Sequence, residues 1–118
     1  MTIITHEINN KKIVEIQSEN LVITNLYNGS DLVGTMYFDG FDVFVLDQKN
    51  IVSDFFDLKT KMAGEILQKC SNFRLRLVII GDFENVESKA LRDFIYESNK
   101  GRLVNFVETL DVALKKFR

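Results

Sequence analysis

Asp47, Asp54, Asp57 and Thr60 fall within one short stretch of the chain. They follow Val43-Phe44-Val45-Leu46, a continuous apolar run of strand length, and lead into an amphipathic segment. In open α/β sheets, ligands bind at the carboxyl ends of strands, so this loop is where chemistry is to be sought. Three carboxylates there could hold Mg²⁺ or Ca²⁺ through oxygen and serve a metal-assisted hydrolysis. Asp54 and Asp57 are equally good N-caps or first-turn residues for the following helix. A phosphate on Thr60 would add about two negative charges near a helix N-terminus, where the dipole and free N–H groups favour anions. Lys59 and Lys61 stand ready to pair with it. The plain alternative is a solvated threonine. A phosphoswitch would govern partner docking, and Thr60→Glu is then expected to change binding while leaving thermal stability nearly unaltered.

A second constellation is Ser88, Arg92, Tyr96 and Asn99, which step by four, four and three along one side of a helix. Arg92 supplies a planar fork for a carboxylate or phosphate. Tyr96 and Asn99 add neutral hydrogen bonding. The set reads either as a ligand or partner surface or as a network tying the helix to the fold. Glu65 has Lys61 and Lys69 four residues away on either side, the spacing of helix ion pairs. Cys70 lies on an apolar stripe and reads as a buried, inert thiol. His6, the sole histidine, sits on the first strand, away from the carboxylates, so the pattern does not fit a zinc site. No serine elbow and no base placed for one is present.

These residues need elements to hold them. Ile3–Ile8 and Ile13–Ile16 are β-branched runs around Asn9-Asn10, and Asn tolerates positive φ, so they read as an antiparallel hairpin. Leu26, Val33, Met36 and Tyr37 have helical spacing within Thr24–Phe38, with Ser30 a candidate N-cap. The runs Val43–Leu46, Leu75–Ile80 and Leu103–Val107 fit strands buried on both faces, as in parallel sheets. Leu58, Met62, Ile66 and Cys70 step by four, widened by Ala63 and Leu67 into a core face, which predicts a helix over 58–70. Ser88 caps a predicted helix to Asn99 with Gly101 beyond its end, and Thr109–Phe117 forms a last helix with Lys115 and Lys116 at its negative end. The order is β-β-α-β-α-β-α-β-α, which demands a sheet covered by helices.

The 118 residues suffice for one domain with one sizeable core. A net charge of −2 gives no global field for nucleic acid or an anionic membrane. One cysteine excludes an internal disulfide. No apolar run is long enough to span a bilayer, and the start of the chain lacks the layout of a secretory signal. The expected setting is the cytoplasm.

Two blocks carry a resemblance. One is Asp54-Phe55-Phe56-Asp57-Leu58-Lys59-Thr60 with Ala63-Gly64-Glu65-Ile66-Leu67-Gln68-Lys69; the other runs from Ser88 to Gly101. With Gly81-Asp82-Phe83 they closely resemble the bacterial family called domain of unknown function 4180, over essentially the whole chain. The family has no established activity, so the resemblance implies none. The element order also resembles STAS domains, the anti-sigma-factor antagonists, in which a phosphorylatable Ser or Thr opens the helix after an acidic loop. That likeness implies the role for Thr60, although Lys59-Thr60-Lys61-Met62-Ala63 replaces the usual Ser- and Gly-rich turn, with Lys61 where glycine is expected.

The sequence therefore points to a single STAS-like α/β domain with a mixed sheet, an N-terminal hairpin and helices mainly on one face. The expected function is non-enzymatic: a regulatory or interaction module docking a protein partner or a small anionic ligand through Asp47–Thr60 and the Arg92 flank. No cofactor is expected. The alternative is a metal-assisted hydrolase using Asp47, Asp54 and Asp57. A homodimer through the edge of strand Ile3–Ile8 is a third expectation.

Overall fold

A computed structural model describes residues 1–118. Strands β1 (Thr2–Ile8) and β2 (Lys11–Gln17) form the hairpin, and Asn9 and Asn10 take φ of 51° and 65° in its turn. Two successive positive-φ residues match the right-handed twist of the strands, which is why two asparagines serve here. Helix α1 (Leu26–Phe38), strand β3 (Val43–Asp47), helix α2 (Met62–Phe73) and strand β4 (Arg76–Ile80) follow, then α3 (Lys89–Lys100), β5 (Val104–Val107) and α4 (Leu110–Lys115). The sheet runs β1-β2-β3-β4-β5 in chain order. Its first pair is antiparallel and the other three are parallel. This is the mixed α/β architecture expected, and β1 stands at an edge of the sheet.

The faces divide by the period-2 alternation of each strand. Val14, Ile16, Phe44, Leu46, Leu77 and Ile79 point to one side and pack with α1 and α2 in the larger core, against which Phe94 and Ile95 of α3 also rest. Ile13, Val43, Val45 and Val78 point to the other, where Ala113 of α4 and Phe117 close a smaller core. Three helices thus cover one face, and a single short helix covers part of the other.

Two boundaries differ from the sequence reading. Helix α1 is capped by Asn25, whose side chain accepts from Asn28 N at 2.8 Å, rather than by Ser30. Asn25 captures a free N–H one turn earlier than Ser30 could, so the helix keeps Leu26 and Gly29. The helix expected over 58–70 starts only at Met62. The preceding residues form three 3₁₀ turns at Gln48–Asn50, Ser53–Phe55 and Leu58–Thr60. Two of these are opened by aspartates: the carboxylates of Asp47 and Asp57 accept the amide N–H two residues on, at 2.9 and 3.1 Å. This side-chain capture competes with helix and holds the backbone in a turn. Leu58 still packs on the larger core, so the apolar stripe is real although its first residue is not helical.

Candidate functional site

Asn50 organises the loop between β3 and α2, and nothing in the sequence pattern singled it out. It is 1% exposed. Its Nδ2 donates to Ser18 O and Asn20 O, both at 2.8 Å. Its carbonyl accepts from Val22 N at 2.7 Å and Ile23 N at 3.1 Å, and Ile23 and Ile51 form a short parallel bridge. One residue therefore clamps the β2–α1 connection to the β3–α2 loop. The two backbone carbonyls around its amide fix which end is nitrogen. The carboxamide oxygen is left buried with no hydrogen-bond partner. Such an orphan costs about 1–3 kcal/mol.

Asn50 lines a cleft of about 420 Å³ over the carboxyl ends of β2, β3 and β4. Val45, Ile80 and Leu110 supply apolar walls; Glu15, Glu19 and Asp47 bring carboxylates, and Lys49 is the one cation. Glu15 is 7% exposed. Both its oxygens are engaged, one with His6 Nε2 at 3.0 Å and the other accepting from Gln17 Nε2 at 2.8 Å. A spacing of two along β2 puts Glu15 and Gln17 on one face, and the hairpin register brings His6 beside them. His6, read from sequence as isolated, is thus part of the polar wall of the sheet next to the cleft.

The remaining sequence candidates are placed as follows. Asp47 stands in the cleft, whereas Asp54 and Asp57 belong to the later turns. No group of three or more His, Cys, Asp or Glu is gathered so as to hold a metal ion. Each of Asp47 and Asp57 instead caps its own 3₁₀ turn; capping is the alternative expected from sequence for Asp54 and Asp57, but for the helix itself, and Asp54 lies within a turn without capping it. Thr60 is not inside the first turn of α2 but ends the last 3₁₀ turn. Its hydroxyl lies 2.6 Å from Asp54 O and 2.9 Å from Asp57 O as donor, and accepts from Met62 N at 3.2 Å. It thereby stitches two turns to the first residue of the helix. Lys61, between them, has φ +63°.

Arg92, Tyr96 and Asn99 do share a shallow hollow of about 440 Å³ beside Phe83. Arg92 Nη1, however, donates to Val86 O and Glu87 O, each at 2.8 Å, bracing the loop before α3. Asn99 pairs with both backbone groups of Phe106: its Oδ1 accepts from Phe106 N at 2.8 Å, and its Nδ2 donates to Phe106 O at 3.2 Å. β5 is an edge strand, and this amide takes the place of a neighbouring strand. Tyr96 is exposed, with Lys100 Nζ 4.4 Å from its ring centre. Ser88 caps α3 as expected, accepting from Leu91 N.

Glu65 joins neither Lys61 nor Lys69 in an ion pair; Lys69 lies over the Phe73 ring instead. Cys70 is fully buried, and burial pushes its thiol up to about 12, so it is no nucleophile at neutral pH. The loops after β3 and β4 meet at Gly81. A Cβ there would lie 2.5 Å from Gln48 Oε1 and 3.0 Å from Phe83 Cζ, so only glycine lets both side chains close over it.

Fold and site together define a single-domain mixed α/β protein with a preformed cleft at the carboxyl ends of its parallel strands. The blocks that bore the family resemblance lie in the later turns, in α2, in the loop after β4 and in α3, and none of their residues lines the cleft. The chain belongs to the family described as Domain of unknown function (DUF4180), whose model matches residues 8–117. No curated protein and no solved structure matches it, so the likeness to STAS domains rests on element order. No helix is long and apolar enough to cross a membrane.

Proposed function

We propose that the domain is a non-catalytic binding module and that the cleft beside Asn50 takes a small amine, its ammonium set among Asp47, Glu15 and Glu19. The observation that carries this reading is the charged lining of the cleft, in which Glu15, Glu19 and Asp47 stand against a single cation, Lys49. An ammonium there makes charge-assisted hydrogen bonds to carboxylates, which are the stronger kind. The volume suits a small molecule. The anionic ligand expected from Arg92 fits poorly here, because an anion would meet three carboxylates. A regulatory role follows if the ligand stiffens the turns from Asp47 to Thr60, which then present a changed surface to a protein partner.

Calorimetric titration with putrescine and with arginine, against sodium chloride at matched ionic strength, tests the reading. Saturable binding is expected, weakened about tenfold, equivalent to about 1.4 kcal/mol, in a variant carrying Asp47→Asn and Glu19→Gln. Absence of saturable heat, or an unchanged affinity in that variant, refutes it.

A further inference from the structure

At the opposite end of the parallel strands lies a second hollow, of about 400 Å³. Its charged lining is Lys11, Arg76, Arg102 and Lys116, and no acidic residue joins them. None of the four takes part in any of the molecule's four ion pairs. The chain has 17 acidic residues against 15 Lys and Arg, so a purely cationic hollow is not a consequence of composition.

Arg76 is the built part of this site. It opens β4 on the sheet face that carries Phe117, and its guanidinium carbon sits 4.7 Å from the centre of that ring. Nη2 donates to Asn105 Oδ1 at 3.0 Å. Asn105 is itself 1% exposed and held by its amide to Gly101 O at 3.1 Å. The guanidinium plane is therefore fixed by a ring beneath it and by an oriented amide beside it. Arg76 Nε is buried without a partner. Burial first, and the charge of Arg102 second, hold the group below the usual arginine range. An oriented guanidinium, partly out of water, facing like charge and lacking a counter-ion, is an unfavourable arrangement in the free protein. A bound anion supplies the counter-ion and offsets the repulsion between Arg76 and Arg102.

We propose that this hollow binds a small phosphate-bearing molecule, gripped by the forks of Arg76 and Arg102 and surrounded by Lys11 and Lys116. Arginine forks match the paired oxygens of a phosphate. The hollow is larger than a single phosphate needs, and its one aromatic ring is already covered by Arg76, so the rest of the ligand is small and polar. The site is separate from the amine cleft and does not depend on it.

The test is titration of the full chain with inorganic pyrophosphate and with inorganic phosphate, against sodium chloride at matched ionic strength. Saturable binding of pyrophosphate is expected. Arg102→Ala, at an exposed position, should weaken it at least about tenfold, and Lys116→Ala by less. Lys100→Ala, a cation outside the hollow, should leave it unchanged. Without ligand, Arg102→Ala should melt at the same or a higher temperature, because a repelling charge has gone. No saturable binding, an equal loss in Lys100→Ala, or a marked fall in the ligand-free melting temperature of Arg102→Ala would each overturn the proposal.

Discussion

Thr60 and Lys61 form the joint between the turns and α2, and they pull stability in opposite directions. The Thr60 hydroxyl serves backbone groups on both sides of itself. Replacing such a capping hydroxyl costs about 1 kcal/mol. Lys61 has φ +63°, a region that disfavours a side chain by about 1–2 kcal/mol and suits glycine. The resemblance to known families implies glycine at position 61, and the positive φ there gives a physical reason for it. Urea melts should therefore show Thr60→Ala and Thr60→Glu both less stable by about 1 kcal/mol, in place of the near-neutral Thr60→Glu expected from sequence, because the hydroxyl is engaged by backbone groups. Lys61→Gly should be no less stable, or more stable by up to about 1 kcal/mol. Equal midpoints for Thr60→Ala and the parent chain would show that the hydroxyl does not hold the loop. The outcome also bears on a phosphoswitch at Thr60: a phosphate there would have to displace these backbone bonds, so it would rearrange the loop rather than decorate it.

Packing of α1 on α2 turns on one close approach. A Cβ added at Gly29 would fall 2.6 Å from Ile66 Cδ1 and 3.1 Å from Ile23 Cγ2. Overpacking of this kind costs about 1–3 kcal/mol. Ile66→Val removes the Cδ1 atom that clashes. Gly29→Ala with Ile66→Val should therefore lose less stability than the two single changes added together, by about 1 kcal/mol or more in a double-mutant cycle. Strict additivity would mean that the helices simply move apart. Much at this scale was legible in the sequence. The hairpin at Asn9-Asn10, the alternation of strands and helices, the Ser88 cap and the buried Cys70 each rest on a local rule that the tertiary structure did not override. The start of α2 was not legible, because the stripe from Leu58 to Cys70 is continuous in period while Asp57 diverts the backbone into a turn. Asn50 was invisible for a different reason: its partners, Ser18, Asn20, Val22 and Ile23, come from a distant connection, and no spacing records them. The Arg92–Asn99 side was seen, and its alternative reading as a tie to the fold accounts for Asn99 on Phe106. The cationic hollow could not be anticipated, since its residues come from the hairpin, β4, the α3–β5 connection and the chain's last turn.

At the scale of the whole molecule, the sheet separates two cores of unequal size, and the question is whether they fail together. Phe117 is 7% exposed and closes the smaller core, where Arg76 lies on its ring and Asn9 Nδ2 donates to its carbonyl at 2.7 Å. Truncating it to alanine removes a buried ring and costs about 3 kcal/mol or more. Cys70 is buried in the larger core on the far side of the sheet, and its raised pKa keeps it as the unreactive thiol. Alkylation of Cys70 therefore reports opening of that far core. If β3 and β4, which contribute side chains to both cores, make them one cooperative unit, Phe117→Ala should speed Cys70 labelling on the order of a hundredfold, in step with its loss of stability in urea. The opposite result is equally readable. A chain that loses stability by circular dichroism yet labels at the parent rate would show that α4 and Phe117 peel from the sheet alone. The cationic hollow, which Phe117 helps to line, would then sit on a separately mobile part of the fold. The cooperative outcome is the one that the geometry favours. Arg76 and Asn105 tie β4, β5 and the end of α3 into a single hydrogen-bonded set, and α3 rests on the larger core.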